Sequence, residues 1–294
     1  MLKFKRLAMA LLIAASAAGL KAGCLWIAGD ALSYGWSLDN ATALLSTPDN
    51  ADVFTGTVYL KGGQDFKFLT TPDFGNEEYG AAPDAALVDG RIDIAKGKND
   101  EGYGKLRVTE DANYLISVDT RTLTAYIAKS VYQVKPVNLC SLFLVGDATP
   151  NGWDVMKGTP LYQDNELPYC FAASGIELVP GSFKIATVLK GAGTFSPEYW
   201  YFRNAENSDK IALNQEGDLQ WSISAADKYS VSVNLDTEAI SISKDVATGI
   251  GSLASEDADA VAEYYTLAGI RVENPHGGVF VRRCGATVTK LVVR

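Results

Sequence analysis

The sequence predicts an all-β protein: two tandem β-sandwich domains followed by a short C-terminal β segment. Three observations predict it. The stretch Leu25 to Thr70 recurs, at an offset of 117 residues, as Leu142 to Thr187, with 12 of 46 positions identical. A period that long reads as two copies of one domain rather than a solenoid. Within each copy, short runs of β-formers alternate apolar and polar residues, and turn signals separate them at short intervals while helix signals are scarce.

The repeat opens on its most distinctive element. Leu25-Trp26-Ile27-Ala28 leads into Gly29-Asp30-Ala31, with Gly35-Trp36 close behind. Leu142 to Val145 leads likewise into Gly146-Asp147-Ala148 and Gly152-Trp153. Glycine tolerates unusual backbone angles and the Asp side chain bonds nearby backbone, so the chain is expected to turn out of a strand here. That turn accounts for Asp30 and Asp147 without catalysis, and Trp36 and Trp153 are expected to fold back over the edge of a core. Next come Val53 to Leu60 (Cys170 to Leu178) and the run Phe66-Lys67-Phe68 (Phe183-Lys184-Ile185). Strand alternation in that run directs Lys67 and Lys184 away from the core.

Each copy closes with a hairpin, Tyr114 to Val118 with Leu123 to Ile127, and Tyr229 to Leu235 with Ile240 and Ile242. The offset there is 115, so the length change falls in the connecting segments 71–103 and 188–218, where loops tolerate it. In the same register Trp221 lies opposite Leu106, a core position. The chain divides into residues 1–22, a first module 23–134, a second 135–245, an acidic small-residue linker 246–263 and a β-rich end 264–294.

Residues 1–22 read as a secretory signal: Lys3, Lys5 and Arg6 precede an apolar run too short to span a bilayer. We place cleavage near Ala22. Ala22-Gly23-Cys24 is similar to the end of a bacterial lipoprotein signal, but Lys21 fits that pattern poorly and Leu25 opens the first strand without a tether. Cleavage leaves 22 basic and 35 acidic residues, a net charge of −13. Such a chain lacks the basic footprint that nucleic acid or anionic lipid requires. Of the four cysteines, Cys140 and Cys170 open successive strands; antiparallel pairing sets them at opposite ends, so no bridge is expected between them.

Chemistry-bearing residues are sparse. The one histidine, His276, sits beside two glycines in the C-terminal hairpin, which excludes a His-dependent triad or a multi-histidine metal site within one chain. There is no phosphate loop or dinucleotide fingerprint, and the acidic residues lie mostly in turns and linkers; neither metal, cofactor nor catalysis is expected. Sugar binding asks for less: a flat aromatic face, with cationic or amide groups for the hydroxyls. Tyr199, Trp200, Tyr201, Arg203 and Asn204 offer that set in one variable segment, with Lys184 as a further polar contact. If extended, the segment puts Tyr199 and Tyr201 on one face and Trp200 and Phe202 on the other, so one pair belongs to the core. The first copy has only scattered Phe74, Tyr79 and Tyr103, and is expected to bind weakly or to support the second.

The order of these elements resembles the C-terminal domains of the SusE/SusF family, outer-membrane starch-utilisation proteins of Bacteroidetes. The resemblance covers both copies, about 220 residues. It implies sandwiches of immunoglobulin-like or carbohydrate-binding-module-like form that hold starch-type α-glucan at the cell surface without cleaving it, beside other outer-membrane glycan-uptake proteins. The family usually carries a lipid anchor and a further N-terminal domain, whereas here the signal runs directly into the first repeat. At the other end, Tyr265-Thr266-Leu267-Ala268-Gly269-Ile270-Arg271-Val272, Pro275 to Val281 and the final Lys290-Leu291-Val292-Val293-Arg294 resemble the C-terminal sorting domain of type IX secretion cargo. That implies a second route to the outer membrane or the medium. The rival function is an adhesive or structural surface protein whose sandwiches bind protein or no small ligand. Exposure of Trp200 and Tyr201 discriminates the two, because an exposed pair favours glycan.

Overall fold

A computed structural model describes residues 23–189, 199–213, 217–245, 263–266, 271–273, 278–284 and 287–293. The leader 1–22, nearly all of the 246–263 linker and His276 fall outside the described residues. The chain divides into two compact units at 245/246. The first holds both copies of the repeat. Single 3-10 turns stand in equivalent places of the two copies, at Leu38–Asn40 and Val155–Lys157.

The first copy contributes β1 (Cys24–Ala28), β2 (Ala43–Thr47), β3 (Asn50–Leu60), β4 (Lys67–Leu69), β5 (Glu78–Ala81), β6 (Arg91–Gly97), β7 (Ala112–Asp119) and β8 (Thr124–Lys129). They join in the order β1-β2-β3-β7-β8-β6-β5-β4 as a closed antiparallel barrel. The expected two layers are therefore connected at both edges, which leaves no edge strand unpaired. The second copy repeats the order with β9 (Ser141–Val145), β10 (Thr159–Gln163), β11 (Cys170–Leu178), β12 (Gly181–Ala186), β13 (Trp200–Arg203), β14 (Ile211–Leu213), β16 (Asp227–Asn234) and β17 (Ala239–Lys244). β15 (Trp221–Ile223) adds to β12, where Phe183 faces Trp221 as Phe66 faces Leu106 in the first copy. A lone bridge from Lys210 to Ala239 stands where β6 meets β8.

The ungapped register of the sequence hides one irregularity. Between Ala173 and Ile176 the β11–β16 pairing shifts, and Gly175 takes a positive φ of 70°. This is a β-bulge, which inserts one residue into one strand of a pair.

The Gly-Asp-Ala turn is the same object twice. The N–H of Ala31 donates to the Asp65 carbonyl and that of Ala148 to the Ser182 carbonyl, both at 3.1 Å. Gly29 and Gly146 each close the turn on the glycine before the tryptophan, both at 3.0 Å. This draws the chain just ahead of β4, and the start of β12, against the glycine: a Cβ on Gly146 would lie 2.1 Å from the Ser182 carbonyl oxygen. Asp147 accepts from the Ser182 amide at 2.7 Å, so its carboxylate is spent on the turn, as expected.

Each copy has its own core. A third apolar cluster joins them: Trp26, Ala28, Leu45 and Leu69 with Phe143, Val145, Tyr162 and Ala186. These are four pairs at an offset of 117, so the two copies meet through equivalent outer faces of the same strands. Around the apolar patch the contact is polar. Gln163, in β10, binds both the N–H and the C=O of Thr57 in β3, at 2.6 and 3.1 Å. Cys140 enters the first core over Gly56, its N–H on the Thr42 hydroxyl at 3.0 Å. Cys24, Cys140 and Cys170 are free thiols, and burial pushes those of Cys24 and Cys140 up to about 12.

The second unit is described by backbone pairing: β18 (Glu263–Thr266), β19 (Arg271–Val272), β20 (Gly278–Cys284) and β21 (Thr287–Val293) form one antiparallel sheet in the order β19-β18-β20-β21.

Gly146→Ala forces backbone against backbone and should cost about 3 kcal/mol or more in urea unfolding. Gly152→Ala, at φ 60° with nothing within 4 Å of the new Cβ, should cost about 1 kcal/mol. Equal losses would contradict the close approach as the reason for the motif's first glycine.

Candidate functional site

Alternation along β4 and β12 sends Phe66 and Phe68, or Phe183 and Ile185, into the cores, and the intervening lysine outward. The direction is as expected, but the surroundings are not solvent. Lys67 is 3% exposed and Lys184 5% exposed. Each ammonium lies near the tryptophan of its own repeat, Lys67 at 5.8 Å from the Trp36 ring centre and Lys184 at 5.5 Å from that of Trp153. The two marks of the repeat, Gly-Trp and Phe-Lys, are thus one cation–π contact.

A buried ammonium needs negative partners, and here the copies part. Lys67 pairs with Glu78 at 2.9 Å and Asp100 at 2.7 Å. Tyr103 donates to the Glu78 carboxylate and bonds Asp100 at 2.9 Å, and Lys105 closes on Asp100 from the other side. Lys184 pairs with Asp218 at 2.6 Å, and the Trp200 ring centre is 4.6 Å away. Pairing sets the equivalence: Leu69 faces Glu78 as Ala186 faces Trp200. Trp200 thus occupies the place of Glu78.

The exchange leaves room in the first copy, whereas among the described residues of the second an indole ring stands against the lysine. Beside Lys67 is a hollow of about 430 Å³, lined by Trp36, Phe74, Glu78, Asp100 and Lys105 together with Gly75 and Asn99. Phe74 is 50% exposed, and its ring centre is 5.2 Å from the Lys67 ammonium. Glu78 is buried, and its Oε1 has no hydrogen-bond partner. Asn99 and Asp100 both have positive φ, 54° and 62°, in the two-residue turn closed by the Glu101 N–H on the Lys98 carbonyl. Asn and Asp accept that conformation readily in a hairpin turn, which presents Asp100 to both lysines.

The residues expected to bind glycan are mostly committed elsewhere. Trp200 is 0% exposed within the cluster that joins the copies, so it has no free ring face; this corrects its assignment as a platform. The expected alternation holds from Trp200 to Phe202, which are buried together while Tyr201 turns the other way, half-buried against the second core, but it fails at Tyr199, which does not share the Tyr201 face. Tyr199 packs half-buried on the joining cluster, and its carbonyl accepts from the Thr187 amide. Arg203 donates to the carbonyls of Gln220 and Asn204 at 3.1 and 3.2 Å. The Asn204 side chain accepts from the amides of Glu206 and Asn207, shaping its own turn. Lys184 is enclosed by Asp218 and aromatic rings, a second correction.

Glu78, Asp100 and Lys105 were not among the residues expected at a site, and Phe74 and Tyr103 were expected only as scattered aromatics. One signal was present: Tyr79 and Tyr201 are identical and equivalent, but at an offset of 122 that neither flanking register suggests.

No protein-family model matches the chain, and no curated protein does. Among solved structures it is similar to the crystal structure of SusF from Bacteroides thetaiotaomicron. The identity is 16%, the match covers 75% of this chain and 47% of that one, and the TM-score is 0.26. The protein spans about half the length of that relative.

Lys105 and Lys67 hold the Asp100 carboxyl well below the usual range. Burial raises that of Glu78, but Tyr103 and Lys67 outweigh it and the net shift is downward. Groups whose folded value is depressed stabilise the fold above the unfolded value, near 4, and lose that contribution as pH falls through the folded one. The urea midpoint should therefore drop between about pH 4 and pH 2, and Glu78→Gln should flatten that drop while lowering the midpoint at pH 7. A variant with the wild-type pH profile would contradict this role for Glu78.

Proposed function

We propose that this is an exported, non-catalytic carbohydrate-binding protein that holds a starch-type α-glucan at the cell surface, through the hollow beside Trp36 in its first copy. The observation that carries the reading is the hollow itself. Exposed Phe74 offers a ring face to the apolar side of a pyranose, and half-buried Trp36, with the Lys67 and Lys105 ammoniums 5.8 and 5.3 Å from its ring centre, stands beside it among charged groups that can exchange hydrogen bonds with the hydroxyls. The resemblance of the repeat to starch-utilisation proteins supports the same ligand class.

Binding without cleavage fits the electrostatics. A glycosidase needs one carboxyl held protonated near neutral pH, with its value raised. Glu78 and Asp100 are both shifted the opposite way, by lysines that cancel their charge. The second copy contributes its paired face rather than a second site, because Trp200 occupies the equivalent place. Anchoring beside other glycan-uptake proteins, and export by the leader or the C-terminal segment, belong to the same proposal.

The burial of Trp200 favours the rival reading, an adhesive or structural surface protein, and one experiment separates the two. In native gels containing amylopectin, dextran or no glycan, the mature chain should be retarded by amylopectin alone. Trp36→Ala should weaken that retardation by about tenfold in apparent Kd, the scale of one lost aromatic contact. Equal mobility in all three gels would remove the α-glucan assignment and put the structural reading first.

A further inference from the structure

The Trp36 hollow has a neighbour. A second hollow, of about 350 Å³, is lined by Ala81, Ala85, Leu87, Ile92, Lys105 and Arg107. Lys105 is a wall of both. Nothing in the role of the first hollow uses the second, and its apolar floor opens at the margin of the first barrel, where Ala85 and Leu87 pack half-buried on the core.

The segment from Tyr103 to Arg107 explains why the two lie side by side. Gly104 exchanges both backbone hydrogen bonds with Ala81 at 2.8 Å, and Leu106 exchanges both with Phe66 at 3.0 Å. The segment is therefore extended, with Leu106 in the core and Tyr103, Lys105 and Arg107 on the opposite face. At a strand's rise these three side chains form a rail of about 13 Å, longer than a single pyranose ring. Its charges are already met: Lys105 pairs with Asp100, and Arg107 with Asp65. Such a rail offers paired polar groups rather than a net field, which suits a neutral, hydroxyl-rich ligand better than an anion.

We propose that the second hollow is a further subsite, so that the protein takes a glucan chain of several residues along a groove from Trp36 across Lys105 to Leu87 and Arg107. This rests on the glycan reading of the Trp36 hollow and deepens it, from a sugar to an oligosaccharide of minimum length. Arg107 would hydrogen-bond hydroxyls beyond the reach of the first hollow, and the Leu87 and Ile92 side chains would receive the apolar face of the next ring.

The experiment is a calorimetric titration of the full mature chain with maltose, maltotetraose and maltoheptaose, beside Arg107→Ala and Leu87→Ala. Arg107 is exposed, so its variant should keep the wild-type melting curve, which is recorded as a control. The wild type should bind maltoheptaose at least about tenfold more tightly than maltose. Arg107→Ala should lose most of that gain while binding maltose unchanged, and Leu87→Ala should do the same. A wild type indifferent to length, or an Arg107→Ala variant that keeps the full gain or loses affinity equally for all three sugars, overturns the groove while leaving the Trp36 site standing. Failure of every sugar to bind the wild type overturns the glycan reading, and the groove with it.

Discussion

A buried lysine ammonium beside a tryptophan ring is the constraint on which the rest of this structure depends. A charge taken out of water has to be matched by opposite charge and by oriented donors and acceptors, or the fold does not hold it. Strand alternation delivers Lys67 and Lys184 to the outer faces of their copies, and the Gly-Asp-Ala turn returns the chain so that Trp36 or Trp153 lies alongside. What remains free is the choice of negative partner. In the first copy two carboxylates and a tyrosine meet the charge, held by the 98–101 turn. In the second, Asp218 meets it alongside the Trp200 ring. One substitution of role, glutamate in one copy for tryptophan in the other, sets a carboxylate beside the first lysine and an indole ring beside the second.

The same outer faces join the copies. Trp26 and Phe143, and Leu69 and Ala186, bury themselves against one another because each copy would otherwise expose the same apolar strip. Gln163 then fixes the alignment through the backbone of Thr57, and Cys140 through the hydroxyl of Thr42, both in the other copy. Trp200 belongs to this joining cluster as well as to the lysine, so its two duties reinforce each other. The copy that supplies this ring cannot also offer it to a ligand.

Much of the architecture was legible in the sequence. The gapless stretch from Leu25 to Thr70 located equivalent strands, the repeat register placed Trp221 opposite Leu106 in the core, and period-two alternation turned Lys67 away from the core and set Trp200 and Phe202 on one face. Closure into a barrel was not legible, because it depends on how β6 reaches β8 and no local pattern encodes that. The site was misplaced for a similar reason. A run of adjacent aromatics, Tyr199 to Phe202, looks like a platform, yet adjacent strand residues point to opposite faces and both faces of β13 are covered. Phe74, Glu78, Asp100 and Tyr103 looked scattered because three separate segments carry them, and only the fold of the 71–77 and 98–105 loops brings them to Lys67.

The most direct test of this account is the number of glycan chains one protein molecule binds. Titration of the mature chain with maltoheptaose should saturate at one equivalent, and Trp36→Ala should remove nearly all of the binding signal. Saturation at two equivalents, or at one that survives Trp36→Ala, would contradict the claim that the exchange of Glu78 for Trp200 confines binding to the first copy.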